Sequence, residues 1–504
     1  MAIFDEVYFF KNNNIYDILI VIIRRDLKMK YICKKCHFIY DEVVEKVKFD
    51  TLDKDYKCPN CGALKKEFKK DTSNAIWVEK DNPSLCFLED KCTNCGLCKK
   101  VCENTVGIKY ERNEVKKPVC INCGQCILNC PFNALDTKLD YKKVLEFLKD
   151  KNNIVTISIA PAIRTTIGEE FGLSNGSIVT EKLVTALKKA GFTYVFDLTF
   201  GADLTVMEEA MELVNRLNNQ EKLPLFTSCC PSWVKYCEIY HQDLIGNLSS
   251  TKSPIMMQAS VINEYFFKNK KDKKIINVML APCTAKKMEI KEPNLKGMDF
   301  CLTTHEVTLM LKELNIDLPS LEGSSFDKVL PDGSGAGNIF GTSGGVLEAT
   351  LRTAYFYLTG QDAKDEFLQF QTLRGFDAIR EATITILDKN YKVACVYGMP
   401  NLEKLLPNMN DYIMIEVMNC PNGCVGGGGQ PKTKLPQQKE TREARGSSLY
   451  QIDDNKQIRF SYKNPDILRL YSNYLNYPNS EIAKKILHTS FKPNNNYFKD
   501  NSHI

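Results

Sequence analysis

Ten of the 21 cysteines are separated by just two residues from another cysteine, a spacing that suits metal ligation better than disulfide bonding. Three arrangements occur. Cys33-Lys-Lys-Cys36 and Cys58-Pro-Asn-Cys61-Gly62 are two pairs that could face each other across a tetrahedral four-sulfur site, a geometry both iron and zinc accept. Cys92-x2-Cys95-x2-Cys98-x3-Cys102 repeats as Cys120-x2-Cys123-x2-Cys126-x3-Cys130-Pro131. The third set lies far apart in the chain: Thr227-Ser-Cys229-Cys230-Pro-Ser-Trp233, Ala281-Pro-Cys283-Thr-Ala-Lys286, and Glu416-Val-Met-Asn-Cys420-Pro-Asn-Gly-Cys424 followed by four glycines. These could converge as four thiolates with one spare thiol. The glycines would let backbone approach a bulky inorganic group closely, and Lys286 offers a charged donor beside it.

The four-cysteine runs follow the bacterial ferredoxin pattern, in which the fourth cysteine of each run ligates the other cluster. One 4Fe–4S cluster is expected on Cys92, Cys95, Cys98 and Cys130, and the other on Cys120, Cys123, Cys126 and Cys102. Such a module conducts electrons and has no substrate chemistry of its own. Around the first two pairs, Tyr31, Phe38, Tyr40-Asp41, Phe49-Asp50, Leu52, Tyr56 and Phe68 resemble rubredoxin, which implies one redox-active iron; a structural zinc remains the alternative. His37 departs from the glycine usual after the second cysteine. The turn favours positive φ, which histidine tolerates better than most residues.

The three distant motifs together resemble the cofactor loops of FeFe (iron-only) hydrogenases. Asn247 to Pro254, Gly344 to Ala354 and Ala483 to Phe491 agree, so the likeness spans roughly residues 80–491. The resemblance implies that Cys230, Cys283, Cys420 and Cys424 hold a 4Fe–4S cube. Cys424 would also bridge to a two-iron unit carrying carbon monoxide, cyanide and a dithiolate amine, the whole being the H-cluster. Lys286, Met418, Pro161 and Ser253 would surround that cofactor, with Lys286 on a cyanide. Cys229 would pass protons to the bridging amine, and the family's proton path maps onto Glu209, Ser249, Glu212 and Arg216. Glu209 and Glu212 are i and i+3 on one expected helix, hence on one face.

The implied activity is reversible H2 oxidation and proton reduction. The implied partners are ferredoxin or another small redox protein and the hydrogenase maturation proteins. Three positions depart from the family pattern: Ala281 stands for a methionine, Ala162 for a serine and Ile255 for a glutamine. They mark a divergent subgroup and keep a second reading in view, an H2-sensing or iron–sulfur regulatory protein with low turnover. The remaining cysteines, Cys86, Cys237, Cys301 and Cys395, are expected to be small buried hydrophobes.

These residues need a scaffold. Apolar runs at Ile154–Ile159 and Tyr194–Leu198 alternate with amphipathic stretches at Thr180–Ala190 and Leu204–Leu217, which argues for an α/β architecture with mostly parallel sheets. The chain thus divides into an N-terminal extension (1–28), a rubredoxin-like knot (29–72) and a ferredoxin-like α+β module (80–138). A large α/β catalytic domain (139–432), a polar linker leading into a small-subunit-like helical region (433–491) and a disordered tail (492–504) follow. Met29 would serve as a natural start; whether residues 1–28 are an upstream extension or misassigned start, or a short packing helix, stays open. Gly333 to Gly345 lacks the Lys-Ser/Thr of a P-loop, so no nucleotide site is expected. The net charge of +5 is too mild to argue for nucleic acid, and the run Ile15–Ile23, broken by Asp17, is too short to span a bilayer. Reduced thiols imply a cytoplasmic address.

Overall fold

The computed structural model describes residues 29–76, 78–108, 120–270, 273–363, 373–433 and 437–494. The expected extension at 1–28 and residues 495–504 of the expected tail lie outside them.

Residues 29–70 build a three-stranded antiparallel sheet from β1 (Lys30–Cys33), β2 (Ile39–Asp41) and β3 (Phe68–Lys70), with β1 central. So small a sheet buries little aliphatic surface, and aromatic rings fill its core. Tyr31 stacks on Phe49 with ring centroids 4.1 Å apart, and Tyr40, Tyr56 and Phe68 close around Phe49. Next, β4 (Leu85–Phe87) pairs antiparallel with β5 (Leu135–Thr137). Between them, each cysteine run turns into a short helix, Leu97–Val101 and Gln125–Leu128.

Two four-stranded sheets follow. One has the order β10-β9-β6-β7, made of β6 (Asn153–Ile159), β7 (Tyr194–Asp197), β9 (Lys274–Ala281) and β10 (Phe300–Thr303), all parallel. The other has the order β11-β12-β13-β8, from β8 (Leu225–Phe226), β11 (Ile379–Ile386), β12 (Lys389–Tyr397) and β13 (Tyr412–Met418). In it β11 alone runs antiparallel to its neighbour. Parallel strands covered on both faces need continuous apolar runs, and β13 is buried at every position. The expected α/β class with mostly parallel sheets is the class observed.

The Thr199–Asn219 helix passes through the core between the helices Pro254–Val261 and Gly345–Thr359. It starts five residues before the expected Leu204, because Phe200, Gly201 and Ala202 are buried and extend it back to the end of β7. The polar stretch expected as a linker from 433 becomes the helix Gln438–Asp454. Two of its charged residues face inward: Arg445 meets Glu169 at 2.5 Å, and Asp453 takes Arg352, Arg374 and Arg459. In the glycine-rich stretch, the short helix Gly335–Ile339 packs on the Thr199–Asn219 helix. At the end of the described chain Asn494 donates its N–H to the Glu238 carbonyl. Among the described residues, no helix is long and apolar enough to cross a membrane.

Candidate metal centres and active site

The first centre is built from two mirrored turns. The His37 N–H returns to the Cys33 carbonyl at 2.9 Å and the Gly62 N–H to the Cys58 carbonyl at 2.8 Å. Both turns need a left-handed residue, and His37 (φ 62) takes the role that Gly62 (φ 70) takes opposite, as the sequence requires. The Sγ atoms of Cys33, Cys36, Cys58 and Cys61 lie within 4.8 Å of one another, with Cys33–Cys61 at 3.7 Å and Cys36–Cys58 at 3.5 Å. A tetrahedron with metal–sulfur bonds of about 2.3 Å has edges of about 3.8 Å, so one ion fits. The Phe38 N–H lowers the Cys36 thiol to about 6, which favours a thiolate.

Among the described residues no other thiols crowd together this tightly. A cube of four irons and four sulfides holds its cysteines further apart than a single ion does. The two runs interleave: Cys130 lies in the field of Cys92 and Cys98, and Cys102 in that of Cys120 and Cys123.

The third set meets at the carboxyl ends of both large sheets, where open α/β folds place ligands. Beyond β6 lie Pro161 and Ala162, beyond β8 Cys229 and Cys230, beyond β9 Cys283 and Lys286, and beyond β13 Cys420 and Cys424. All eight line one cavity with Ile255, Phe340 and Met418. Burial pushes the thiols of Cys283 and Cys424 up to about 12 and that of Cys420 well above its ordinary value. Four thiolates this deep are stable only against compensating positive charge, which an iron–sulfur cube supplies. Burial works against the Lys286 ammonium, but Glu289 at 2.8 Å outweighs it and holds it charged. Its Nζ donates to the Cys229 carbonyl at 3.0 Å. Ser253 instead lines a small neighbouring cavity with Lys252 and Glu289, and its buried hydroxyl has no partner. Ala162, Ile255 and Ala281 are fully buried, the first two in the cavity wall.

From Cys229 a row of polar groups leads outward. Burial pushes the Cys229 thiol well up, and the nearby Glu209 carboxyl adds to this. Burial raises Glu209 to about 8, so the carboxyl is mostly protonated at neutral pH. It accepts from Thr350 at 3.3 Å, and its Oε1 is buried without a partner. Ser249 Oγ donates to Glu212 at 3.3 Å, and Glu212 pairs with Arg216 at 2.6 Å. The structure therefore brings together Cys229, Glu209, Ser249, Glu212 and Arg216.

The sequence reading missed Thr350 and Glu416. Glu416 is wholly buried, accepts from the Gly344 and Leu347 N–H groups at 2.6 and 2.9 Å, and is raised by burial to about 7. It lies in the Glu416–Cys424 motif, but only the fold shows that it caps the Gly345–Thr359 helix.

The centres are docked in chain order. Ile76 N–H meets Cys98 Sγ at 3.4 Å, and Asn94 takes the Asn74 N–H at 2.7 Å and donates to Asp71 at 3.1 Å. These contacts tie the N-terminal knot to the Cys92 run. On the other side, Thr284 Oγ1 donates to the Asn122 carbonyl at 2.6 Å and Gln125 to the Gly426 carbonyl at 2.8 Å. A Cβ on Gly428 would lie 2.2 Å from the Cys123 carbonyl oxygen, so only glycine lets the Cys120 run come so close to the cavity loops. Of the leftover cysteines, Cys237, Cys301 and Cys395 are buried as expected, and Cys86 is half-buried.

Residues 153–428 match the family described as iron only hydrogenase large subunit, C-terminal domain, and residues 439–494 match iron hydrogenase small subunit. The NADP-reducing hydrogenase subunit HndD of Solidesulfovibrio fructosivorans is 35% identical over 86% of this chain and 77% of its own. Iron hydrogenase 1 of Clostridium pasteurianum is 36% identical over 82% and 77%. Protein NAR1 of Arabidopsis thaliana is 30% identical over 74% and 85%. An apo FeFe-hydrogenase HydA1 variant of Chlamydomonas reinhardtii superposes with a TM-score of 0.60 at 34% identity, covering 70% of this chain and 98% of that one. The buried thiols, the two tandem cysteine runs and these likenesses lead to one conclusion: the chain belongs to the iron-only hydrogenase family.

Proposed function

We propose that this protein interconverts H2 with protons and electrons. The observation that carries the reading is the meeting of four buried thiols, a charged lysine and a spare thiol that heads a row of proton-bearing groups. Cys230, Cys283, Cys420 and Cys424 would hold the 4Fe–4S part of the cofactor, and Cys424 would also help to hold its two-iron unit. When bound, that cofactor supplies the electrophilic metal, the base and the electron exit that heterolytic H2 cleavage needs. The chain supplies the rest. Lys286, locked by Glu289, would hold the cofactor with a charged hydrogen bond, and Pro161 and Met418 close the wall. Cys229 would exchange a proton with Glu209, and Ser249, Glu212 and Arg216 would carry it onward. The Cys120 and Cys92 runs would hold clusters that supply an electron path toward ferredoxin or another small redox partner, and Cys33, Cys36, Cys58 and Cys61 would hold a mononuclear iron at the far end. Loading would require the dedicated maturation proteins.

A second reading is an iron–sulfur assembly or regulatory protein with low turnover. It is favoured by the likeness to Protein NAR1 and by the apolar wall at Ala162 and Ile255. Infrared spectroscopy of the matured protein separates the two, because metal-bound carbon monoxide and cyanide absorb where protein does not. Such bands together with H2 turnover support the first reading. A cube without the bands in a host with active maturation proteins refutes it.

A further inference from the structure

Glu212 has partners that the proton row does not use. Its Oε2 accepts from the Ser250 backbone N–H at 3.0 Å and from Ser250 Oγ at 2.9 Å, while Arg216 holds Oε1 at 2.6 Å. Ser250 Oγ lies 2.8 Å from His488 Nδ1, and His488 Nε2 lies 2.9 Å from Glu208 Oε2. Glu208 is wholly buried; it accepts from the Tyr471 hydroxyl and from the Asn479 backbone N–H at 2.7 Å. The C-terminal segment is stitched to the Ser249–Lys252 loop by the Thr251–His488 bridge and the Thr489 N–H to Ser250 carbonyl bond, which fixes the imidazole in place.

Counting protons shows what this branch can hold. Glu212 is ion-paired, so the single Ser250 proton goes to it. The Ser250 oxygen can then only accept, which puts a proton on His488 Nδ1. Nε2 faces a carboxylate, a contact that needs a second proton between them. With a proton on each ring nitrogen, Nδ1 faces Ser250 and Nε2 faces Glu208, so the Nδ1 proton can leave toward Ser250 while the Nε2 contact stays in place. The titratable and charged groups around His488 are Glu208 and Glu212 on the Thr199–Asn219 helix, Arg216 beyond them, Tyr471, and Lys252, whose Nζ is turned away to the Ile486 carbonyl. The His488 side chain is 8% exposed, close to the 11% of Glu212, so solvent reaches both.

We propose that His488, with Glu208, is a second proton-holding station that loads Glu212 through Ser250. One proton moves per event. His488 Nδ1 gives its proton to Ser250 Oγ as Ser250 gives its own to Glu212, leaving the serine unchanged and the imidazole neutral. Solvent then refills the imidazole, and H2 oxidation runs the same steps in reverse. His488 touches no reacting atom; it is a positioning residue that acts through Glu212. The inference rests on the proposed proton row.

The test measures H2 production from pH 6 to 9 in the matured full-length protein and in His488→Ala, Glu208→Gln and Ser250→Ala, with infrared spectra of each. Wild-type bands with turnover are the precondition; their absence in the wild type overturns the proposed function and not this branch alone. In the variants the bands should stay at wild-type frequencies. Rates should match wild type near pH 6 and fall about tenfold near pH 8.5, where protons are scarce. Added imidazole should restore part of the His488→Ala loss and leave the wild type unchanged. Ser250→Ala, which keeps the His488–Glu208 pair, should reproduce the profile even if His488→Ala loads poorly. A uniform drop at every pH, or no change, in Ser250→Ala and Glu208→Gln overturns the proposal.

Discussion

Replacing Glu209 with glutamine should move activity and stability in opposite directions. The side chain is almost fully buried, and burial raises its carboxyl from 4.5 to about 8. Between pH 4.5 and 7 the unfolded chain releases this proton and the folded chain keeps it, so the unfolded state binds fewer protons and folding stability falls as pH rises. Over about 2.5 pH units at about 1.36 kcal/mol each, the raised carboxyl weakens the fold by about 3 kcal/mol at pH 7. Glutamine has nearly the same shape and no such penalty. Glu209→Gln should therefore melt higher than wild type, with a difference that grows from pH 5 to pH 8. The variant can neither take a proton from Cys229 nor return one, so H2 turnover should fall about 10²- to 10⁴-fold. The assays are thermal melts across pH, H2 evolution from a reduced viologen, and an infrared spectrum to show that the cofactor is still bound. Turnover within threefold of wild type with intact infrared bands would refute the assignment of Glu209 to the proton row. A melting difference that is flat or shrinks with pH would refute the reasoning about its burial.

Other outcomes follow from the same geometry. Cys229→Ala should abolish most turnover and leave the infrared bands in place, because the role proposed for the thiol is to move protons and not to hold metal, whereas Cys424→Ala should lose the two-iron unit; an empty site in Cys229→Ala would show that Cys229 is a ligand. Fully matured protein should contain about fifteen irons, from one mononuclear site, three cubes and one two-iron unit. Elemental analysis that finds zinc in place of one iron would assign the N-terminal site to zinc. Rubredoxin-type iron normally sits well above low-potential clusters, and each 59 mV is about a factor of ten for one electron. Deleting residues 1–72 should thus impair H2 oxidation toward a high-potential acceptor protein more than ferredoxin-driven H2 production. Equal loss in both directions would make the knot structural, and selective loss of production would reverse the argument.

The apolar wall bears on the departures from the family pattern. Ala162 and Ile255 line the cavity beside Met418, and Lys286 is the charged donor there. With fewer polar side chains to meet the cyanides, the electron density on the two-iron unit would rest mainly on Lys286 and on backbone donors. The driving force and direction of catalysis would follow.

The sequence determined the metal chemistry, because ligand spacing is a local property. Two residues between cysteines make a turn wherever they occur, and even the left-handed conformation of His37 was implied by its place in that turn. It also determined the helical face shared by Glu209 and Glu212, and the parallel sheets, whose strands are apolar without a break. It could not separate iron from zinc at the first site, since four sulfurs in a tetrahedron suit both. The tertiary structure decided the rest. The proton affinity of Glu209 comes from its burial, which outweighs the hydroxyl of Thr350, 141 residues away, and no local pattern encodes either. The polar helix Gln438–Asp454 resembles a linker until Glu169 and Arg352 are brought to it from distant parts of the chain. The order of the centres, from the knot through the two cysteine runs to the cavity, depends on docking contacts such as Thr284 to Asn122 and Gly428 against Cys123. Spacing fixes what each group of cysteines can bind, but only packing sets which groups lie close enough to exchange electrons, and which carboxyls keep their protons.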